Sequence, residues 1–214
     1  GRLARATRLA RIYDTGSKTR LERDSLGALP VPAEAYYGIQ TTRAIDNFPI
    51  SGLRLPEEMV RAYAHIKKAA AWTNASLKRL PRRHASAITR ACDELLRGAF
   101  DDQMVVDVYQ AGAGTSFNMN VNEVIANRAN ELLGARKGTY RFIHPNDHVN
   151  MAQSTNDTFP TAMRVACLTA LPRLVEAMAQ LETALRNNAR RFDGVVKAGR
   201  THLQDAVPVR LGRE

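Results

Sequence analysis

Residues 163–185 carry apolar side chains at helical spacing: Met163, Val165, Ala166, Leu168, Leu171, Leu174, Val175, Met178, Leu181 and Leu185. The pattern predicts one helix of about 30 residues, roughly 45 Å long at 1.5 Å per residue. That is longer than the usual helix of a globular domain and suits a helical bundle. Its apolar stripe is wide, so the helix is expected to pack on several neighbours, one of them from another subunit. Pro172 stands inside it and is expected to kink it. A chain built on such an element is expected to be mainly α. A low aromatic content, 6%, with abundant Ala, Leu and Arg points the same way.

Directly before this helix lie residues 144–161, HPNDHVNMAQSTNDTFPT, with only Val149, Met151, Ala152 and Phe159 clearly apolar. Short amide and hydroxyl side chains at the mouth of a helix can cap its free N–H groups, and they can equally hold an anion there. From these residues alone both readings stay open.

The rest of the chain supplies shorter elements. Residues 21–27 and 31–38 are turn-punctuated and fit a small hairpin or an irregular arm. Residues 43–52 read as a loop. Pro56, Glu57 and Glu58 open a helix with acids in its first turn, and Met59, Tyr63, Ile66, Ala70 and Leu77 continue it towards Pro81. Residues 82–98 form a second helix, with Ile88, Ala91, Cys92, Leu95 and Leu96 facing inward. Gly112 to Ser116 is either a tight turn before a helix or a phosphate loop, and the second lacks both a Lys and a preceding apolar strand. Asn118, Asn120 and Asn122 then alternate with Met119 and Val121. Asn competes for backbone hydrogen bonds, so three of them entering a helix suggest a polar network or a site. That helix runs through Val124, Ile125, Ala129 and Leu132 to Gly134, a left-handed terminator. A second polar cluster, residues 199–208, stands ahead of a further helix expected to open at Pro208.

Charge and cysteine content narrow the function classes. The formal charge is +10, but Arg2, Arg5, Arg8, Arg11, Lys18 and Arg20 face only Asp14 in the first 20 residues, so half the excess sits in one tail. The other basic residues lack the aromatic interleaving of a single-strand binder, and a basic surface that steers small dianions is an equal alternative. The tail is read as a disordered or added extension rather than a transit peptide. No run of about 18 apolar residues is present. Cys92 and Cys167 show neither metal-ligand spacing nor a disulfide framework, which fits a reducing, cytoplasmic setting. The expected organisation is an extension over 1–20, an N-terminal domain over 21–150 and the start of a central helical-bundle domain over 151–214.

Three blocks taken together carry a resemblance. Residues 112–128 (GAGTSFNMNVNEVIANR), 144–161 and 199–212 (GRTHLQDAVPVRLG) resemble, in order and spacing, the aspartase/fumarase superfamily. The resemblance covers almost everything after residue 20. It implies a mainly α subunit with a small irregular arm, a homotetramer that joins its central helices into one bundle, and active sites shared between three subunits. The segments YYGIQT at 36–41, GAGTS at 112–116, QSTN at 153–156 and RTHLQD at 200–205 resemble the aspartate ammonia-lyases. Residues 146–148 and 158–163 read equally well for class II fumarases.

The implied reaction is reversible elimination of ammonia from L-aspartate to give fumarate. Removing a proton beside a carboxylate makes an enediolate-like intermediate, which preorganised neutral donors stabilise. By resemblance Thr115, Ser154 and Thr155 hold that carboxylate, while Asn156, Thr201 and His202 orient the amino group and the other carboxylate. His202 is also placed for acid–base work, and Ser154, Thr155 and Thr201 complete the catalytic set. Arg141, His144, Asn146 and Asp147 resemble a second anion site, and Glu123 and Arg128 are expected to be structural. No metal or organic cofactor is implied, and the partner is a small dicarboxylate rather than nucleic acid or membrane. The family's flexible loop, with the Ser that takes the proton, falls beyond residue 214. The chain therefore reads as a fragment without activity of its own. Class II fumarase activity and a non-catalytic truncated family member are the alternatives.

Overall fold

The structure, a computed structural model, describes residues 18–213. Most of the expected basic extension lies outside the described residues. The elements are β1 (Thr19–Asp24), β2 (Gly27–Pro32), α1 (Ile39–Asn47), α2 (Glu57–Ser76), α3 (Arg82–Leu96), α4 (Thr115–Leu132), α5 (Thr155–Phe192), β3 (Val196–Thr201) and β4 (Gln204–Arg210). Short helical turns occur at Asp101–Gln103, Pro145–Val149 and Leu211–Arg213. The chain is mainly α. By its internal contacts it divides into two units, Gly1–Cys167 and Leu168–Glu214, with the division inside α5.

In the first unit, β1 and β2 form an antiparallel hairpin, from Thr19 opposite Pro32 to Asp24 opposite Gly27. Of the two forms open to the arm, the chain takes the hairpin. Gly27, at φ +118, makes its tight reversal, and the Leu26 N–H donates to Asp24 Oδ1 at 2.9 Å.

Helices α2, α3 and α4 pack on one another around Met59, Val60, Tyr63, Ile88, Ala91, Cys92, Leu95, Phe117, Val121, Val124 and Ile125, all buried. Fully burying each of the larger of these contributes about 1.5–3 kcal/mol before entropy is subtracted. The inward face expected for α3 is the buried one. Leu96 is half-buried, and Leu77 is exposed because α2 ends at Ser76. α4 ends as expected just ahead of Gly134, which has φ +86.

Helix α1 is a correction, because residues 43–52 read as a loop and α1 runs to Asn47. Its start is held by a side chain about eighty residues away. The Glu123 carboxylate of α4 accepts from the N–H groups of Gly38, Gln40 and Thr41 and from Thr41 Oγ1, at 2.6–3.0 Å. No local sequence pattern announces such a cap. Glu123 is fully buried, and burial pushes its carboxyl up to about 7 against the hydrogen bonds that favour the ionised form. Arg128 pairs with Glu94 at 2.6 Å and Glu131 at 3.2 Å.

In the second unit, α5 continues to Phe192, so the helix has 38 residues and passes without interruption through Pro160 and Pro172. Leu168, Leu171, Leu174, Val175, Met178, Leu181 and Leu185 are all exposed along it.

The helix expected to open at Pro208 is a second correction. Residues 196–210 form an antiparallel hairpin, Val196 opposite Arg210 and Thr201 opposite Gln204, with Pro208 inside β4 and an irregularity between Ala198 and Arg200. Val195, Val196, Val207 and Val209 favour strand. The reversal places His202 and Leu203 at φ +50 and +62, the paired left-handed geometry of a two-residue hairpin loop.

Candidate active site

Two helix starts meet in the first unit. α4 begins at Thr115, after Gly114 at φ +85, and α5 begins at Thr155, after Ser154. The Phe159 ring lies so close over Gly114 that a Cβ there would run into it. Across the same junction, Asn118 Nδ2 donates to Thr155 Oγ1 at 3.2 Å. Thr115 lies one turn before Asn118 on α4. The polar face of this junction is open: Thr115, Ser154 and Asn156 are exposed and Thr155 is half-buried. The structure therefore brings four of the expected substrate-binding residues, Thr115, Ser154, Thr155 and Asn156, to two adjacent helix N-termini. There the two helix dipoles favour an anion.

In the polar stretch ahead of α5 the capping use of its short side chains is realised, since Ser154 Oγ accepts from the Asn156 N–H at 3.3 Å. Ser154 O accepts from the Asp157 and Thr158 N–H groups, and Thr158 Oγ1 returns to Ser154 O at 3.2 Å. Asn150 and Gln153 turn inward, while Ser154 and Asn156 stay outside.

Behind the junction is a group that sequence reasoning missed. Lys67 of α2 is fully buried, and its Nζ donates to Asn118 Oδ1 at 2.8 Å, Asn150 Oδ1 at 2.9 Å and Gln153 Oε1 at 3.0 Å. No carboxylate among the described residues pairs with it. Burial pushes the ammonium down to about 7, while three amide oxygens directed at it favour the charged form. Asn150 Oδ1 also accepts from Asn118 and Asn122, at 3.2 and 3.3 Å. The Asn alternation thus builds a polar network. A signal for Lys67 existed: it lies four residues after Tyr63, on the helix face that carries Met59 and Tyr63 inward.

The expected second anion site lies on the turn Pro145–Val149. His144 Nδ1 accepts from the Asp147 N–H and stands 3.2 Å from Asp147 Oδ2, while the His144 N–H donates to His148 Nδ1 at 2.9 Å. Asn146 and Arg141 are exposed, the latter with its guanidinium 5.1 Å from the Phe142 ring. His84 and His148 meet edge-on at 5.5 Å, and burial first, then neighbouring positive charge, lowers the pKa of both. Buried His84 Nδ1 has no hydrogen-bond partner among the described residues.

Thr201 and His202 belong to the second unit, where they are exposed at the reversal of the β3–β4 hairpin. Among the described residues no group of three or more His, Cys, Asp or Glu side chains is arranged to hold a metal ion. No helix among them is long and apolar enough to cross a membrane.

Comparison with known proteins gives a consistent family. A family model described as "Lyase" matches residues 27–214. The chain is 53% identical over 195 residues to an aspartate ammonia-lyase of Bacillus subtilis, covering 91% of this chain and 41% of that protein. It is 57% identical over 196 residues to a class II fumarate hydratase of Halobacterium salinarum, covering 91% and 42%. A crystal structure from Brucella melitensis, titled fumarate lyase:delta crystallin, superposes with a TM-score of 0.86 at 52% identity, covering 92% of this chain and 46% of that one. A class II fumarase of Schistosoma mansoni gives 0.83 at 41%, covering 92% and 42%. The chain spans about two-fifths of the length of the curated relatives it matches.

Proposed function

The chain belongs to the aspartase/fumarase family of lyases, and on that premise we propose that the whole protein is an aspartate ammonia-lyase. It would eliminate ammonia reversibly from L-aspartate to give fumarate. The observation that carries this reading is the open junction of two helix starts, where Thr115, Ser154, Thr155 and Asn156 come together. Such a site is suited to a carboxylate that gains charge during the reaction. Hydroxyl donors and helix N-termini then stabilise the enediolate-like state more than the ground state.

In this reading Thr115, Ser154 and Thr155 hold the carboxylate next to the proton that leaves. Asn156, Thr201 and His202 orient the amino group and the second carboxylate, and His202 is available for proton handling. Arg141, His144, Asn146 and Asp147 form a second, non-catalytic anion site. The exposed apolar side of α5 supports assembly into a homotetramer with shared sites, because an uncovered stripe of that length favours a partner. The domain division we infer keeps residues 21–150 as one domain and assigns 151–214 to the start of the central bundle.

The preference for aspartate rests on QSTN at 153–156, where class II fumarases more often carry Ser-Ser-Asn at the positions of Ser154, Thr155 and Asn156. The second reading, class II fumarase, is favoured by the 57% identity to the Halobacterium salinarum enzyme. Incubating the whole protein with L-aspartate should raise the ultraviolet absorbance of fumarate. Turnover of malate with none of aspartate would assign the second reading, and turnover of neither would remove both.

A further inference from the structure

Lys67 is a buried, charged group of this unit whose chemistry the proposed reaction does not use. Its ammonium is enclosed by three side-chain amides, and a fully buried lysine without a counter-charge is costly to the fold. An apolar residue of similar length would fill the space without that cost. Each of its three partners leads to the candidate site. Asn118 also donates to Thr155 Oγ1. Asn150 and Gln153 fold the segment that ends in Ser154, since Asn150 Nδ2 donates to Gln153 O at 3.2 Å and Gln153 Nε2 donates to Val149 O and Met151 O. A single amide group therefore separates the ammonium from the Thr155 hydroxyl.

We propose that Lys67 is a positioning residue of the substrate site: its buried charge draws a carboxylate of the substrate to the α4–α5 junction and fixes the turn that presents Ser154, Thr155 and Asn156. The inference rests on the carboxylate-site reading of that junction. Lys67 does not touch the substrate. It acts through Asn118 and through its field, which a dry surrounding transmits with little screening. Below neutral pH the charge is present before substrate arrives and attracts the substrate's carboxylates from the first encounter, so its removal there appears in KM more than in kcat.

Two variants of the whole protein separate this role from a purely structural one. Asn150→Asp keeps the oxygen that Lys67 meets but sets a carboxylate against the ammonium. It cancels the charge and supplies the ion pair the fold lacks. Lys67→Met keeps the length and removes the charge. Melting curves, steady-state kinetics and calorimetric binding of succinate, an unreactive dicarboxylate, are measured for each below neutral pH, where Lys67 is charged.

The expected result is a folded Asn150→Asp protein whose KM and succinate dissociation constant rise about tenfold while kcat changes little, an effect on the scale of one screened charge. Folded Lys67→Met should behave alike. Unchanged KM and succinate affinity in either folded variant overturns the proposal. Failure of both variants to fold overturns it too, because Lys67 is then only a structural support. A wild-type protein that neither turns over L-aspartate or malate nor binds succinate refutes the carboxylate-site reading instead.

Discussion

Replacing Gly114 by Ala tests the junction on which the candidate site is built. Two costs are expected. Gly114 has φ +85, and an L-residue held in the left-handed region costs about 1–2 kcal/mol. Its new Cβ would also enter the Phe159 ring, which must then move, an overpacking cost of about 1–3 kcal/mol. Together the substitution should destabilise this unit by roughly 2–5 kcal/mol, with the excess over the backbone cost carried by Phe159. The assay is urea unfolding of the whole protein followed by circular dichroism, for wild type, Gly114→Ala, Phe159→Leu and the double variant. The smaller side chain should relieve the clash, so the double variant should lose about 1–3 kcal/mol less than the sum of the single losses. Thr115 follows Gly114 directly, so KM for the substrate should rise in Gly114→Ala under conditions where the protein is still folded. A Gly114→Ala protein within about 0.5 kcal/mol of wild type, or a double variant that is simply additive, would refute the packing described for the junction.

Other consequences are as direct. Glu123→Gln places an amide NH₂ against N–H donors of Gly38, Gln40 or Thr41, and should cost about 2–3 kcal/mol in unfolding free energy. Hydrogen exchange should show the loss at the start of α1, and unchanged protection there would count against the cap. Lys67 sets a pH dependence. Its ammonium titrates near 7 in the folded chain against 10.5 ordinarily, so between those values the unfolded chain binds more protons. Stability should therefore rise with pH across that window, by up to about 1.4 kcal/mol per unit. A Lys67→Met protein should lack this rise, and parallel wild-type and variant curves would disprove the linkage. Leu174→Asp with Leu181→Asp, both on the exposed side of α5, should reduce the assembled mass measured by sedimentation. A mass unchanged by the pair would exclude that stripe as the assembly surface.

Much of this fold is legible in the sequence because most of its elements are amphipathic over many turns. The α2, α3, α4 and α5 segments each repeat apolar residues at helical spacing, and each is a helix. The arm was legible only as far as its turn residues, and those left hairpin and irregular forms open. What local pattern does not carry is structure imposed from a distance. Helix α1 depends on Glu123 for its first turn, so residues 43–52 look like a loop by themselves. The β3–β4 hairpin was obscured by Pro208, which reads as a helix opener and instead lies in a strand. For the candidate site, motif order singled out Thr115, Ser154, Thr155 and Asn156, and the structure adds how the two helix starts that carry them are tied together. Lys67 was overlooked because lysine usually lies outside, although its position on the Tyr63 face of α2 marked it.

The asparagines of α4 explain how one helix can hold so much irregular chain. A side-chain amide carries the same donor and acceptor as a peptide group, so a buried Asn can pair with a passing loop as a strand would. Asn120 donates to Gln103 O and accepts from the Val105 N–H, both at 2.9 Å. Asn127 donates to Tyr36 O at 2.8 Å and accepts from the Gly138 N–H at 2.7 Å. Asn130 donates to Ile143 O and accepts from the Phe142 N–H, just before the His144 turn. Each replaces a sheet partner that the segment does not have. Asn127→Leu should therefore cost more than a lost side-chain bond, because Tyr36 O and the Gly138 N–H, both half-buried, would lose their partner at up to about 1–3 kcal/mol each. Asn127→Asp keeps the acceptor for Gly138 but loses the donor to Tyr36, and it buries a carboxyl whose pKa burial must raise. Its penalty should grow as pH climbs from the ordinary carboxylate range towards neutrality, because the unfolded chain ionises first. An Asn127→Leu protein within about 1 kcal/mol of wild type would mean that water satisfies these groups. The asparagines would then be packing residues rather than surrogates for backbone.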